Sequence, residues 1–257
     1  MTSRRAAGHL RLAVLGLDVL IEDAASTQMS ALSVAVEAAG GRYETEQLRA
    51  VVGLPSACAL ATLFSGHPRG NDELRGARAK RIFDATIAAH YAEVGAVRQR
   101  EGVSEALRSL RAQGLAIAVT SCLSRAALEV VLRDTAWVDE GLVDTTVTSE
   151  EVGWRGPCPD LVFEAMRRTT VVDVRRVIAA GATPLALAEG RIAGCGAVVG
   201  ATTGSHGPAE LRTRPETYLV HNVHELLDVV AMQHVARREP AAQSAARATL
   251  SFPRVID

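Results

Sequence analysis

Short apolar runs alternate with longer segments of helical periodicity over most of the chain. The runs predict buried parallel strands, and they cover Leu12–Leu15, Leu115–Val119, Val143–Thr148, Val177–Ala180, Ala197–Gly200 and Tyr218–Val220. From Val103 onward, the segments between the runs carry an apolar residue every three or four positions, which predicts helices. This alternation predicts the α/β class, with a parallel sheet covered by helices on both faces.

Between Asp23 and Glu101 the pattern is helical only. Apolar positions at helical spacing predict four helices in this block, over Ala24–Ala39, Gln47–Val52, Ala57–Phe64 and Ala77–Tyr91. His67–Asn71 is the predicted loop between the last two of them. We therefore expect a helical insertion directly after the first strand.

Composition and charge narrow the class of partner. The formal net charge of -1 gives no electrostatic case for nucleic acid, and no apolar run is long enough to span a bilayer. The first residues lack the apolar core of a signal peptide. The cysteines form no CxxC pair, so neither a structural zinc site nor a redox dithiol is expected. We expect a cytoplasmic protein with a small-molecule ligand, and a homodimer through the helical insertion stays open.

Polar residues stand where the first two predicted strands end. Asp18 follows the first strand, and Thr120 and Ser121 follow the second. In open α/β sheets, ligands bind in the crevice at the carboxyl ends of the strands. These residues are therefore expected at the mouth of a cleft. Asp18 has two readings, an acid/base group or a carboxylate that caps loop N–H groups, and Thr120 and Ser121 either bind a ligand or cap the next helix.

Four segments in order resemble the haloacid dehalogenase superfamily, specifically its phosphonoacetaldehyde hydrolase-like branch. They are LAVLGLDVLIED, GLAIAVTS, EEVGWRGPCPDLVFEAM and VIAAGATPLALAEGRIAGCGAVVGATTGSH. The resemblance implies a Rossmann-like core formed by residues 1–23 and 100–231, with a helical cap formed by residues 24–99. Residues 232–257 have little periodicity and are expected to form a peripheral or poorly ordered tail.

The resemblance also implies catalytic positions, and several of them carry other residues here. The attacking aspartate of the family corresponds to Gly16, and its acid/base aspartate corresponds to Asp18. The second-motif hydroxyl is kept as Thr120. The remaining departures are Leu20 for a polar residue, Ser56 for the Schiff-base lysine, Gly156 for a cation, and Ala182 and Ala186 for the metal-binding aspartates. Magnesium needs oxygen ligands, commonly carboxylates, so we expect no metal and no cofactor.

These departures predict a protein repurposed away from phosphoryl transfer. The first reading is metal-independent acid/base chemistry by Asp18 on an uncharged or weakly polar organic molecule, of the isomerase, cyclase, lyase or dehydratase type. The alternative is a catalytically silent protein that binds a ligand or acts as a regulatory or accessory subunit. A second alternative is a residual hydrolase of the same family.

The candidate site residues follow from these arguments. Asp18 and Thr120 are the candidate catalytic residues. Arg155 either binds an anionic group or is solvated, and Trp154 either covers the ligand or packs on the cap. A thiol nucleophile, with His206 as the nearest histidine, or a passive buried thiol are the two readings of Cys58, Cys122 and Cys158. The full set of expected ligand-binding residues is Gly16, Leu17, Leu20, Ser56, Cys58, Ser121, Cys122, Trp154, Arg155, Cys158, Ala182, Ala186 and His206.

Overall fold

Parallel strands form the central sheet. The computed structural model describes residues 9–65, 73–93, 95, 97–154, 156–212 and 217–235. In this part of the chain six strands pair in the order β3-β2-β1-β4-β5-β6, and all pairs are parallel. Their bounds are β1 Leu12–Gly16, β2 Ala116–Ser121, β3 Thr145–Thr148, β4 Val177–Gly181, β5 Ala197–Ala201 and β6 Tyr218–Val220. The predicted Rossmann-like α/β fold is confirmed.

Helices connect the strands and cover both faces of the sheet. The helices before β2 are α1 Leu17–Leu20, α2 Ala24–Ala38, α3 Thr45–Ala50, α4 Ser56–Ser65, α5 Glu73–Ala92 and α6 Val103–Ala112. Those after β2 are α7 Arg125–Thr135, α8 Asp160–Arg168, α9 Pro184–Ala193, α10 Pro208–Leu211 and α11 at 225–235. A 3₁₀ turn, Val174–Arg176, precedes β4.

The core is split into two apolar layers by the central strand β1. Ala13 and Leu15 pack into one layer, whereas Leu12 and Val14 pack into the other. This separation follows from the alternation of side chains along a strand. Because both faces are covered, β1 is apolar at every one of these positions, and its carboxyl end is fixed at the centre of the sheet.

Two antiparallel segments join the inserted helices to the sheet. Ile21 and Gln99 form an isolated antiparallel bridge. The Arg100 N–H donates to the carbonyl of Leu20 at 2.9 Å. The chain therefore leaves the sheet layer and returns to it at the same place. As a result, α2–α5 lie over the carboxyl end of β1.

The structure differs from the sequence-based expectations at several element ends. Residues 17–20 form a short helix that was not predicted, and α5 begins at Glu73 rather than Ala77. Helix α11 continues to residue 235, so residues 232–235 of the expected peripheral or poorly ordered tail are helical. The predicted loop His67–Asn71 and the tail from Ala236 lie outside the described residues. No helix in the described ranges is both long and apolar enough to cross a membrane.

A carboxylate network beyond β3 is expected to stabilise the fold. Partial burial raises the pKa of Glu151, but hydrogen bonds from the Thr148 N–H, Arg125 and Arg168 outweigh it and bring that pKa to about 2. We predict that Glu151→Gln lowers the free energy of unfolding at pH 7 by roughly 1.5–3 kcal/mol. Urea unfolding of both proteins measures this difference.

The pH dependence of that difference has a defined sign. The folded-state pKa of Glu151 lies below its ordinary value of 4.5, so its contribution is complete above pH 4.5 and is lost as pH falls toward about 2. The two unfolding free energies should therefore converge over this interval. Glu140→Gln is the control, because Glu140 pairs with Arg108 at an exposed site and such pairs contribute little. Equal effects of both substitutions would contradict the prediction.

Candidate active site

A cavity lies where the carboxyl ends of β1, β2 and β4 face the inserted helices. Its empty space is about 790 Å³, a figure that includes space open to solvent. Nine of the residues expected from the sequence line it: Gly16, Leu17, Asp18, Thr120, Ser121, Cys122, Trp154, Ala182 and Ala186. The topology thus brings together three strand ends that are far apart in the sequence.

Asp18 directs its carboxylate back over Gly16. Its Oδ2 accepts a hydrogen bond from Ala182 N–H at 3.2 Å. A Cβ on Gly16 would clash with Asp18 Oδ1, so that oxygen occupies the space beside the bare Cα. The Asp18 carboxylate therefore occupies the space that a side chain at position 16 would fill. Backbone N–H groups of Asp18, Val19 and Ala182 bond to this carboxylate, as the loop-cap reading expects, and Oδ1 also faces the Gly16 position.

Opposing effects set the ionisation of Asp18. Burial raises its pKa above the ordinary value of 3.8, and it outweighs the hydrogen bond from Ala182 and the positive charge of Arg100, which both lower the pKa. The Arg100 guanidinium is held nearby because it donates to the carbonyl of Thr203 at 2.8 Å. The carboxylate form of Asp18 thus carries a desolvation cost that an exposed carboxylate does not carry.

The sequence reading missed a second acid in the cavity. Glu189 on α9 is 7% exposed and lines the same cavity as Asp18. Its Oε1 accepts a hydrogen bond from the indole N–H of Trp154. Burial raises the pKa of Glu189 to about 7. Glu189 follows Leu185 by four residues, so both lie on one face of α9, but nothing in the sequence marks that face as the one that lines the cavity.

The inserted helices form the roof of the cavity. Gln28 on α2 accepts from Gly53 N–H and donates to the Leu54 carbonyl, both at 2.9 Å. Gly53 has φ +89°, and a Cβ there would lie 3.0 Å from the Cγ2 of Thr183 in the core. Glycine is therefore required where the roof meets the start of α9. Tyr91 of α5 also lines the cavity.

Some polar residues at the end of β2 stabilise the local backbone, whereas others line the cavity. Ser121 Oγ accepts from Leu123 N–H at 3.1 Å, and the helix that follows is capped by Ser124, whose Oγ accepts from Ala127 N–H. Helix capping is therefore not the role of Thr120, which lines the cavity. Burial, followed by the charge of Asp18, raises the pKa of the Cys122 thiol to about 12. This favours the passive reading of Cys122.

Five expected ligand-binding residues do not line the cavity. Leu20 is fully buried in the apolar core because α1 turns it inward. Cys58 and Cys158 pack against the apolar layer that contains Trp154. Ser56 begins α4 and is 8% exposed, while the Nδ1 of His206 faces the Oγ of its neighbour Ser205. Arg155 lies outside the described residues.

The donor set does not fit the magnesium ion that the resemblance implies. At two of the family's ligand positions, Ala182 and Ala186 offer only methyl groups. Within the described ranges, no group of three His, Cys, Asp or Glu side chains is placed to hold a metal. The carboxylates that line the cavity are Asp18 and Glu189. The described residues therefore do not supply the set of carboxylates that the resemblance implies for magnesium.

Comparison with known proteins establishes the family. The model of the haloacid dehalogenase-like hydrolases matches residues 16–198, and the chain belongs to this family. Comparison with curated proteins finds no match.

Solved structures share the fold at low sequence identity. A phosphonoacetaldehyde hydrolase like protein from Oleispira antarctica has a TM-score of 0.76 at 16% identity, covering 92% of this chain and 97% of that one. A hydrolase from Pseudomonas syringae has a TM-score of 0.74 at 16% identity, covering 85% and 96%. CbbY from Rhodobacter sphaeroides, in complex with phosphate, has a TM-score of 0.70 at 18% identity, covering 84% and 96%.

These findings correct the function predicted from the sequence. The matching family is one of hydrolases, and the similar structures include proteins named as hydrolases. The prediction of a protein repurposed for isomerase, cyclase, lyase or dehydratase chemistry, or left catalytically silent, is therefore wrong. The error was to treat the replaced family residues as proof that hydrolase chemistry was lost, a conclusion that membership of a hydrolase family does not support.

Proposed function

We propose that this protein is a hydrolase that cleaves a small organic substrate in the cavity between the sheet and the inserted helices, with Asp18 as the nucleophile. The observation that carries the proposal is the position of Asp18 Oδ1 beside the bare Cα of Gly16. A carboxylate nucleophile splits one difficult hydrolysis into two easier displacements. Membership of the hydrolase family supports the reaction class.

The proposed reaction balances without a further reagent. Asp18 Oδ1 forms a bond to the electrophilic atom of the substrate, and the leaving group departs with the electron pair of the broken bond. Water then cleaves the covalent intermediate, which restores the Asp18 carboxylate and releases the substrate fragment as a hydroxyl compound. Backbone N–H groups of Ala182, Asp18 and Val19 hold the Asp18 carboxylate in place, and Oδ1, the oxygen beside Gly16, is the one assigned to attack.

A substrate panel tests the reaction class. The purified chain is incubated with chloroacetate as a small haloacid, p-nitrophenyl phosphate as a phosphate ester, and phosphonoacetaldehyde. Release of chloride, nitrophenol or phosphate is measured against heat-denatured protein. Turnover that depends on Asp18 with at least one probe is the expected result. Absence of turnover with all three would contradict the proposal.

The orientation of Asp18 provides a further prediction. Gly16 has φ -61°, which alanine also adopts, but an added Cβ would clash with Asp18 Oδ1. We expect Gly16→Ala to displace the carboxylate and to lower turnover by about 100-fold, the usual cost of misplacing a reacting group by about 1 Å. Steady-state kinetics on the active probe measures this loss.

The matched control for that substitution is Gly207→Ala. Gly207 has φ -78°, and its nearest neighbour to an added Cβ, Glu210 Oε2, is 3.6 Å away. Turnover by this variant should equal that of the natural chain. If Gly16→Ala also retained full turnover, the position assigned to the Asp18 carboxylate would be wrong.

A further inference from the structure

We propose that Glu189 is a second catalytic residue, the general base that takes a proton from the water that cleaves the Asp18 intermediate, and that Ser149 holds this water. The inference rests on the proposed hydrolase function and assigns its second half-reaction. It comes from a buried acid and a buried hydroxyl that line the same cavity as Asp18.

The surroundings of Glu189 leave its carboxylate available to a ligand. Its side chain is buried and lines the cavity, and its hydrogen bonds come from the Trp154 indole and the backbone of Cys158. A carboxylate accepts about four hydrogen bonds in total. Capacity is therefore left for a further donor, and Glu189 lines the cavity. The indole N–H fixes the direction of the carboxylate, as a positioned base requires.

Ser149 supplies an independent observation. This residue is 3% exposed and lines the cavity directly beyond β3. Its Oγ has no hydrogen-bond partner in the part of the chain that the structure describes. Because a buried hydroxyl without a partner is costly, the arrangement points to a water or ligand atom at this place. The Ser149 carbonyl accepts from Trp154 N–H at 3.1 Å, so Ser149, Trp154 and Glu189 form one connected group.

Both carboxylates act on the same part of the cavity. The negative charges of Asp18 and Glu189 each raise the pKa of Cys122, which lies between β2 and α7. Because Asp18 and Glu189 line one cavity, a single small molecule bound there can face both acids. With two acids in one site, one can act as the nucleophile and the other as the general base.

The proposed step balances in atoms and protons. Water gives one proton to the Glu189 carboxylate as its oxygen forms the new bond that opens the Asp18 intermediate. In a phosphoryl intermediate the electron pair of the broken bond returns to the Asp18 carboxylate, whereas in a carboxymethyl ester it goes to the substrate oxygen, which takes up a proton. The remaining proton is released to solvent, so both carboxylates are restored.

The ionisation of Glu189 suits this role near neutral pH. Burial brings its pKa to about 7, and the negative charge of Asp160 on α8 acts in the same direction. The other titratable groups that line the cavity are Asp18, Cys122 and Tyr91. The pKa values of Cys122 and Tyr91 are raised to about 12, so neither titrates near pH 7. An inflection near pH 7 in the release step would therefore come from Glu189 rather than from these two groups.

The test separates the two half-reactions in the full-length chain. Glu189→Gln keeps the size of the side chain and an acceptor for the Trp154 indole, but it removes the base. Each protein is mixed with chloroacetate or p-nitrophenyl phosphate, quenched at intervals, and its intact mass is measured. We expect the first step to persist, with a carboxymethyl or phosphoryl group accumulating on the protein. Release of that group should be about 100-fold slower than in the natural chain and should lose its inflection near pH 7.

Each outcome decides the matter. Persistence of the first step in Glu189→Gln shows that this variant is folded. Ser149→Ala should also slow release of the group, by about 10-fold. Glu140→Gln, a surface control, should release the group at the natural rate. Release by Glu189→Gln at the natural rate, with turnover intact, would overturn the role of Glu189 and leave the hydrolase proposal standing. Absence of both adduct and product in the natural chain with either probe would overturn both proposals together.

Discussion

Asp18→Asn is expected to abolish hydrolysis while leaving the fold intact. The asparagine amide is a poor nucleophile, so the covalent intermediate should not form. Loss of a nucleophile of this kind costs roughly 10⁴-fold or more in turnover. Asparagine still offers an oxygen to the Ala182 N–H, which the native Oδ2 accepts at 3.2 Å. Steady-state kinetics on the active probe of the panel measures the loss.

Stability distinguishes this result from simple unfolding. Because burial raises the pKa of Asp18, its ionised form destabilises the folded state at pH values above that pKa. Asparagine relieves this cost, so the free energy of unfolding at pH 7 should stay the same or rise. Retention of more than a tenth of the natural turnover by a folded Asp18→Asn protein would show that Asp18 is not the nucleophile.

Trp137→Ala is expected to cause the largest loss of stability. Trp137 is fully buried after α7, and its indole Nε1 donates to Gln99 Oε1 at 3.0 Å. Gln99 belongs to the segment that returns from the inserted helices to the sheet. Removal of a buried tryptophan ring costs roughly 3–5 kcal/mol. The free energy of unfolding in urea should fall by this amount.

The neighbouring residue provides the control for that prediction. Val138 is 46% exposed, and Val138→Ala should change the free energy of unfolding by no more than about 0.5 kcal/mol. Trp137→Phe should lie between the two, because it keeps most of the ring but leaves Gln99 without its indole donor. If Trp137→Ala unfolded within about 1 kcal/mol of the natural chain, the packing assigned to this residue would be wrong.

The strands could be predicted because burial on both faces makes them almost continuously apolar. β1 and β2 nevertheless run on to Gly16 and Ser121, beyond the predicted ends. Backbone pairing continues there, although a glycine or a polar side chain gives no apolar signal. Helix α1 was missed for a related reason, since four residues are too few to show helical periodicity.

The position of the candidate site in the fold could be predicted from the sequence, but the directions of its side chains could not. The carboxyl ends of the strands located Asp18 and Thr120 at the cavity. The sequence could not show that Asp18 turns back over Gly16, because that depends on a hydrogen bond to Ala182, 164 residues further along the chain. Glu189 was missed because a charged residue within a helix usually faces water. Only the packing of α9 against the segment that carries Trp154 turns it toward the cavity.

The most direct measurement of the central claim is the location of the covalent intermediate. The natural chain is mixed with the active probe, quenched within one turnover, digested, and analysed by tandem mass spectrometry. The account predicts that the carboxymethyl or phosphoryl group lies on Asp18, and that Asp18→Asn carries no such group. Product formation within the same turnover with no adduct on Asp18, or with the adduct on another residue, would contradict it.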